Sequence, residues 1–168
     1  MRSIFFLVLT VFVLTVFVLT ACSPRLDWRE VQGNDAPYSV LLPAKPTRLS
    51  RQINLDGLPV NMAMTAAEVG GLTFAVGAVQ LQNATQTPHA LDAMKRAMIS
   101  NIHGTIRPST TKDGHDIEAV GEANGKPAVL YARFTARGLW VYQVVLLARE
   151  EAVAPETLDT FFGSFQPH

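Results

Sequence analysis

Cysteine is nearly absent from this sequence, and neither sign of charge predominates. The 168 residues contain one cysteine, which excludes an intrachain disulfide framework and a zinc site built from several cysteines. Basic and acidic side chains each number 14, so the chain lacks the basic excess that nucleic-acid-binding proteins carry. Hydrophobic residues make up 48% and charged residues 17%, a balance typical of one globular domain and not of a disordered chain.

Sequence motifs that support catalysis are also missing. The chain contains no G-x-S-x-G, P-loop, H-E-x-x-H or G-x-G-x-x-G pattern. Its four histidines, His89, His103, His115 and His168, do not stand at the spacing of a metal-ligand pair. We therefore predict no enzyme activity and no cofactor, and keep a membrane-anchored enzyme as a distant alternative.

The N-terminus carries the strongest signal in the sequence. One charge, Arg2, precedes an apolar run from Ile4 to Leu19, and the segment ends in Leu19-Thr20-Ala21-Cys22. The thiol of Cys22 is a group that can be alkylated, because its thiolate is a good nucleophile. The chain's sole cysteine thus stands where the apolar sequence gives way to polar sequence.

These residues resemble a bacterial lipoprotein signal peptide with its lipobox. The resemblance implies that residues 1–21 are removed by cleavage between Ala21 and Cys22, and that Cys22 carries the lipid. The protein would then be lipid-anchored in the cell envelope and face the periplasm. Ser23 follows the cysteine where enterobacterial lipoproteins retained in the inner membrane carry aspartate, which favours the outer membrane.

Two alternatives to the signal peptide stay open. An uncleaved transmembrane helix over the sixteen residues from Ile4 to Leu19, which include Thr10 and Thr15, would span roughly 24 Å, which is short of a hydrocarbon core of about 30 Å. A free thiol at Cys22 would make its position at the end of the apolar run a coincidence. Removal of residues 1–21 from the 168 leaves 147, enough for a stable domain without disulfides.

The rest of the chain is predicted to be a tether over 22–37 and a domain over 38–168, with a first strand around 28–31. Dipeptides that favour hairpin turns recur through the domain. They are Asp56-Gly57, Gly70-Gly71, Asp113-Gly114, Asn124-Gly125 and Arg137-Gly138. Runs of eight to ten residues between several of these turns predict an antiparallel β-meander.

Alternation within these runs predicts which strands are central. Residues 47–55 place Leu49, Ile53 and Leu55 on one face, and 116–123 place Ile117 and Ala119 on one face, as half-exposed strands do. Residues 72–79 and 139–148 are apolar on both faces, with Leu139 and Val141 on one face of the second run. We expect these two strands at the centre of the sheet, covered on both sides.

Two helices are predicted. Thr87 is expected to cap a helix over 88–103 that begins at Pro88 and ends before Gly104. Its apolar stripe is predicted to face the core. The stripe consists of Leu91, Met94, Met98 and Ile102. The second helix begins at Pro155 and carries Leu158, Phe161, Phe162 and Phe165.

This order of elements resembles the PsbP-like α/β/α sandwich, which bacteria use in small lipoproteins of the DcrB type. The similarity covers about residues 28–166 and rests on the element order, on the segment 38–43 (YSVLLP) and on the segment 161–165 (FFGSF). It implies an α+β fold in which helices pack on the faces of a curved antiparallel sheet. The better-understood members act as non-enzymatic interaction or assembly factors and share no catalytic set, so the resemblance transfers no catalytic residue.

The densest polar cluster is Asp113-Gly114-His115-Asp116. With His103 nearby it could hold a metal ion, but Asp-Gly is turn chemistry, so we interpret the cluster as a solvated hairpin tip and predict no metal site. Lys95 and Arg96 are interpreted as the solvated face of the helix.

Two functions therefore compete. The first is a lipid-anchored, monomeric interaction module that docks on an envelope protein. The second is a carrier of a small apolar ligand between the sheet and helix 88–103. The carrier requires a cavity of about 300 Å³ or more. The residues that could line it are Met64, Phe74, Met94 or Met98. The interaction module requires a filled core and an exposed apolar patch.

Overall fold

The computed structural model describes residues 26–107, 116–149 and 153–168. Ten strands and two α-helices form within them. The strands are β1 Arg29–Gln32, β2 Tyr38–Leu42, β3 Thr47–Leu55, β4 Leu58–Val69, β5 Leu72–Gln80, β6 Thr105–Arg107, β7 Ile117–Ala123, β8 Lys126–Arg137, β9 Trp140–Arg149 and β10 Gln166–Pro167. The helices are α1 Thr87–Asn101 and α2 Pro155–Ser164. The fold class is α+β, as predicted.

The strands form one large and one small antiparallel sheet. The large sheet has seven strands in the order β3-β4-β5-β9-β8-β7-β6, and the small sheet has the order β1-β2-β10. The large sheet is open, with β3 and β6 at its edges among the described strands. Most of its neighbours are consecutive in sequence, as the meander prediction requires.

Tight turns join these neighbours where the dipeptides predicted them. Asp56-Gly57, Gly70-Gly71 and Asn124-Gly125 each have positive φ at both residues, as type I′ turns need. At the β8–β9 turn only Gly138 has positive φ, so the two central residues are Gly138 and Leu139. Leu139 consequently lies in an exposed turn and not on the predicted strand face. The predicted turn at Asp113-Gly114 lies outside the described residues.

The two central strands separate two apolar layers. β5 and β9 pair along their whole length at the middle of the large sheet, which confirms that they are central. Val141 and Val145 of β9 belong to the clusters beneath α1, whereas Tyr142 and Val144 belong to the cluster that also contains side chains of α2. One face of the large sheet is therefore covered by α1, and the other by α2 together with the small sheet.

Helix α1 begins one residue before its predicted start at Pro88 and ends two residues before its predicted end at 103. A 3-10 turn over Ala84–Gln86 precedes it, and Asn83 caps that turn in a capping box with Gln86. Thr87 is thus the first residue of the helix and not its cap. The side chain that caps this helical segment thus belongs to Asn83, four residues before Thr87.

The C-terminus of α1 ends in a Schellman motif. The Gly104 N–H donates to the Ile99 carbonyl at 2.9 Å, and the His103 N–H donates to the Ser100 carbonyl at 3.0 Å. His103 adopts the left-handed conformation, with φ of 48°. The last helical residue is therefore Asn101, two residues before the predicted end at 103, and His103 instead of Gly104 is the residue that terminates the helix.

Helix α2 holds the small sheet against the large one. The rings of Phe161 and Phe74 meet edge to face with centroids 5.1 Å apart. The Ser164 hydroxyl accepts a hydrogen bond of 2.9 Å from the Leu41 N–H of β2, and Arg133 of β8 donates one of 2.8 Å to the Phe162 carbonyl. The predicted helix beginning at Pro155 is confirmed.

Most of the predicted tether is folded. β1, close to the strand expected around 28–31, pairs with β2, and the Asp27 N–H donates to the Pro43 carbonyl at 2.9 Å. Trp28 lies edge to face against Phe74, with centroids 5.7 Å apart. These contacts attach the chain from Asp27 onward to the rest of the fold.

Candidate functional site

The residues predicted to carry the lipid lie outside the described part of the chain. Ala21, Cys22 and the segment 1–21 all precede Leu26, where the description begins. Within residues 26–107, 116–149 and 153–168, no helix is long and apolar enough to cross a membrane.

The predicted hairpin-tip cluster is described only at Asp116. Its Oδ2 accepts a hydrogen bond of 2.8 Å from the Phe134 N–H, and its own N–H donates to the Ala132 carbonyl at 2.8 Å. Asp116 therefore ties the start of β7 to β8. The described ranges contain no group of three metal-ligating side chains, and Asp113 and His115 lie outside them.

Three of the four side chains considered for a ligand cavity, Met64, Met94 and Met98, lie on the α1 side of the large sheet, and Phe74 lies on the other side. Met64 pairs with Gly77 across β4 and β5, which places it on the α1 face of the sheet. Phe74 is three residues from Gly77, so alternation places its side chain on the opposite face, in the cluster that contains Phe161. One cavity between the sheet and α1 therefore cannot be lined by both Met64 and Phe74.

The two α1 methionines differ in their surroundings. Met94 is almost fully buried, with 1% of its surface exposed, in the cluster with Val79 and Val141. Met98 is half-buried one turn further on and packs against a second cluster, which contains Ile117. The stripe of α1 is therefore core packing, as the sequence predicted.

A shallow groove of about 340 Å³ lies beside α1 at the tip of the β3–β4 hairpin. Arg96 donates a hydrogen bond of 2.7 Å to the Asp56 carboxylate across it, and Asp92 is 3.4 Å from Arg96 one turn back. His89 Nε2 lies 2.9 Å from the Asp56 carbonyl oxygen. Arg96, predicted to be merely solvated, joins the hairpin tip to the helix. All these side chains are exposed, so each ion pair contributes under about 1 kcal/mol.

Two buried tyrosines join the small sheet to the large one. Burial, followed by the nearby Tyr38, raises the pKa of Tyr142 to about 12, and its hydroxyl donates a hydrogen bond of 3.0 Å to the Pro37 carbonyl. Burial is also the main cause that raises the pKa of Tyr38. Both phenols therefore stay neutral at physiological pH and serve as hydrogen-bonding core residues.

Edge strand β3 carries the most exposed large apolar side chain of the described residues. Leu49 is 58% exposed, whereas Ile53 is half-buried and Leu55 is buried. The prediction that one face of this strand is covered is therefore correct only for its C-terminal half, at Ile53 and Leu55. At the other half Leu49 lies outside the α1 cluster that contains Leu55, although its pairing partner Met64 packs against that cluster.

Basic side chains flank Leu49. Arg48 and Arg51 are exposed, as is Lys45 just before the strand, and no ion pair within the described residues involves any of the three. A feature of the sequence that indicates this surface is the stretch from residue 36 to residue 55, which contains basic residues and no acidic residue. We define Lys45 and β3 together as the basic edge. It is the candidate functional surface of the described chain.

The fold defines an α+β protein whose open seven-stranded antiparallel sheet packs α1 on one face and the small sheet with α2 on the other. No family model and no curated protein matches the chain. Among solved structures it is similar to a crystal structure from Bacteroides thetaiotaomicron VPI-5482, with a TM-score of 0.45 and 13% identity, over 86% of this chain and 49% of that one. The chain thus spans about half the length of that protein.

Proposed function

We propose that this chain is a lipid-anchored protein of the bacterial cell envelope that acts as a non-enzymatic protein-interaction module. In this proposal the lipid on Cys22 holds the domain at the periplasmic face of a membrane. The domain then docks on an envelope protein through its exposed surface.

One structural observation supports the interaction role. Buried side chains form apolar clusters on both sides of the large sheet, while the basic edge leaves Leu49 exposed at an open strand. An exposed apolar residue at an open edge favours docking. The carrier alternative loses support because the open groove of about 340 Å³ beside α1 is lined by none of the four side chains expected around an apolar ligand, and carries the exposed charges of Asp56 and Arg96.

The anchor is supported by the N-terminal sequence. Leu19-Thr20-Ala21-Cys22 has the lipobox pattern and contains the sole cysteine of the chain. Two acyl chains would give stable attachment where one is marginal. Ser23 after the cysteine favours the outer membrane. The element order, with helices on both faces of the sheet, supports the proposed likeness to PsbP-like domains.

The anchor is tested by metabolic labelling with palmitate in a bacterial host. We expect label on the wild type and a mass that lacks residues 1–21. Cys22→Ala should take no label and keep those residues, and Ser23→Ala is the matched control that should behave like the wild type. An unlabelled wild-type protein that retains residues 1–21 would contradict lipidation and favour a membrane-anchor helix.

The interaction role is tested against the carrier alternative by native mass spectrometry of the full lipidated protein released from detergent. We expect one species whose mass equals the protein plus its covalent lipid. An additional small molecule bound at one equivalent, and released on denaturation, would contradict the interaction role in favour of the carrier.

A further inference from the structure

The basic edge has the length and the open backbone that strand addition requires. β3 is nine residues long, or about 30 Å, and pairs only with β4 among the described strands. An edge strand presents a row of N–H and C=O groups that another extended chain can pair with. The exposed run from Thr47 to Gln52 leaves this row accessible next to Leu49.

The opposite edge of the same sheet differs in length and in charge. Within the described residues, which break off after Arg107, β6 comprises three residues, and its Ile106 is 47% exposed. Its Arg107 donates a hydrogen bond of 3.2 Å to Glu118 on the neighbouring strand, so that cation already has a carboxylate. Both edges thus carry an exposed apolar residue. Of the two, only β3 is a long strand within the described ranges, and only β3 has basic side chains that form no ion pair there.

The charge pattern indicates what can pair with β3. Between residues 45 and 67 the acidic residue is Asp56, which is 2.7 Å from Arg96 of α1 and lies at the far end of the hairpin. Charges on an edge strand oppose pairing with an identical edge, because like charges meet. The same charges favour a strand that carries carboxylates. A second copy of this chain is therefore disfavoured and an acidic strand is favoured.

We propose that β3 accepts an extended acidic segment of a partner protein as an eighth strand of the large sheet. This inference rests on the proposed interaction function and names its partner's chemistry. Leu49 and Arg51 share the α1 face, because they alternate with Ile53 and Leu55, and Arg48 points to the other face. The added strand therefore presents an apolar and an acidic side chain on one face and an acidic side chain on the other.

Photo-crosslinking in living cells tests this placement. A photoreactive amino acid replaces Leu49 in the full-length lipoprotein, and the matched control replaces Ile106, an exposed apolar residue on the opposite edge. We expect a protein adduct from position 49, with an acidic, extended peptide at the crosslink, and none from position 106. The double variant Arg48→Glu/Arg51→Glu should reduce that adduct at least about tenfold, and circular dichroism should confirm an unchanged fold.

Other adducts would overturn the proposal. A dimer of this chain at position 49 would indicate a second copy, and a lipid adduct there would indicate an anionic membrane surface. A third crosslinking position, at exposed Leu139, distinguishes failure of the β3 proposal from failure of the interaction function. Protein adducts from position 139 without any from position 49 would overturn the β3 assignment alone. No protein adduct from any of the three positions would contradict the interaction function as well.

A peptide measurement tests strand pairing directly. The probes are a blocked seven-residue peptide of alternating glutamate and valine, its lysine–valine counterpart, and the acidic peptide N-methylated at alternate residues. On the lipidated protein in zwitterionic nanodiscs, we expect the acidic peptide to bind at least about tenfold more tightly than the other two. Arg48→Glu/Arg51→Glu should reverse the charge preference. Equal binding of the acidic and lysine peptides, or no effect of N-methylation, would overturn the proposal.

Discussion

The Tyr38 hydroxyl donates a buried hydrogen bond of 2.9 Å to Thr65 Oγ1, and this bond joins the two sheets. Tyr38 belongs to β2 of the small sheet and Thr65 to β4 of the large one. Both residues are buried, and the Tyr38 ring also packs against Tyr142 and Phe165. The bond satisfies a polar group on each sheet in an otherwise apolar layer.

Tyr38→Phe should lower the free energy of unfolding by about 1–2 kcal/mol, because it removes this bond and leaves the Thr65 hydroxyl buried. Thr65→Val should cost a similar amount. If the two hydroxyls act on each other, the double variant costs less than the sum of the single variants, as urea unfolding would measure. Strictly additive losses would contradict the bond.

The raised pKa of Tyr142 predicts a loss of stability at alkaline pH. The unfolded chain loses this phenolic proton near pH 10, whereas the folded state keeps it to about pH 12. Between those values the folded state binds more protons, so the free energy of unfolding falls as the pH rises. Below pH 10 the contribution is fully present.

Urea unfolding at a series of alkaline pH values measures this dependence, with Tyr142→Phe as the comparison. The variant should show a shallower decline between pH 10 and 12, and ultraviolet titration of the folded protein should lose one tyrosine that ionises near pH 12. An unchanged decline in the variant would show that other groups cause it.

Features fixed by neighbouring residues could be predicted from the sequence. The dipeptides Asp56-Gly57, Gly70-Gly71 and Asn124-Gly125 form the expected turns because the positive φ at both positions is a local requirement. The central position of β5 and β9 could also be predicted, since a strand that is apolar on both faces must be covered on both.

Features that depend on distant pairing could not be predicted. β10 joins the C-terminus to β2, and Trp28 packs on Phe74, so residues that looked like a polar tether become part of the domain. The same limit affected the candidate sites. The opposite faces of Met64 and Phe74 follow from strand register, and the exposure of Leu49 reflects its absence from the α1 cluster.

Gly121 and Gly163 should respond oppositely to alanine. A Cβ at Gly121 would lie 2.1 Å from the Ile102 carbonyl oxygen, a backbone atom at the end of α1 that already accepts the Glu122 N–H at 2.7 Å. Gly121→Ala should therefore destabilise the protein by about 3 kcal/mol or more.

Gly163 is the matched position, because it is exposed in α2 and a Cβ there meets no atom within 4 Å. Gly163→Ala should stabilise the protein by about 0.5–1 kcal/mol through helix propensity. Thermal unfolding of both variants measures the contrast, and equal melting temperatures would contradict the close approach at Ile102.

The two methionines of α1 should separate core packing from a partly exposed position. Met94→Ala removes a side chain that is 1% exposed beneath the helix, and should cost about 2–5 kcal/mol because a cavity is left against Val79 and Val141. Met98→Ala removes a half-buried side chain and should cost about 1 kcal/mol, since water and neighbouring side chains can fill the space. Urea unfolding of each variant measures the difference. Similar losses would mean that the α1 stripe is uniformly buried, whereas a negligible loss at Met94 would mean that α1 does not pack on the sheet as described.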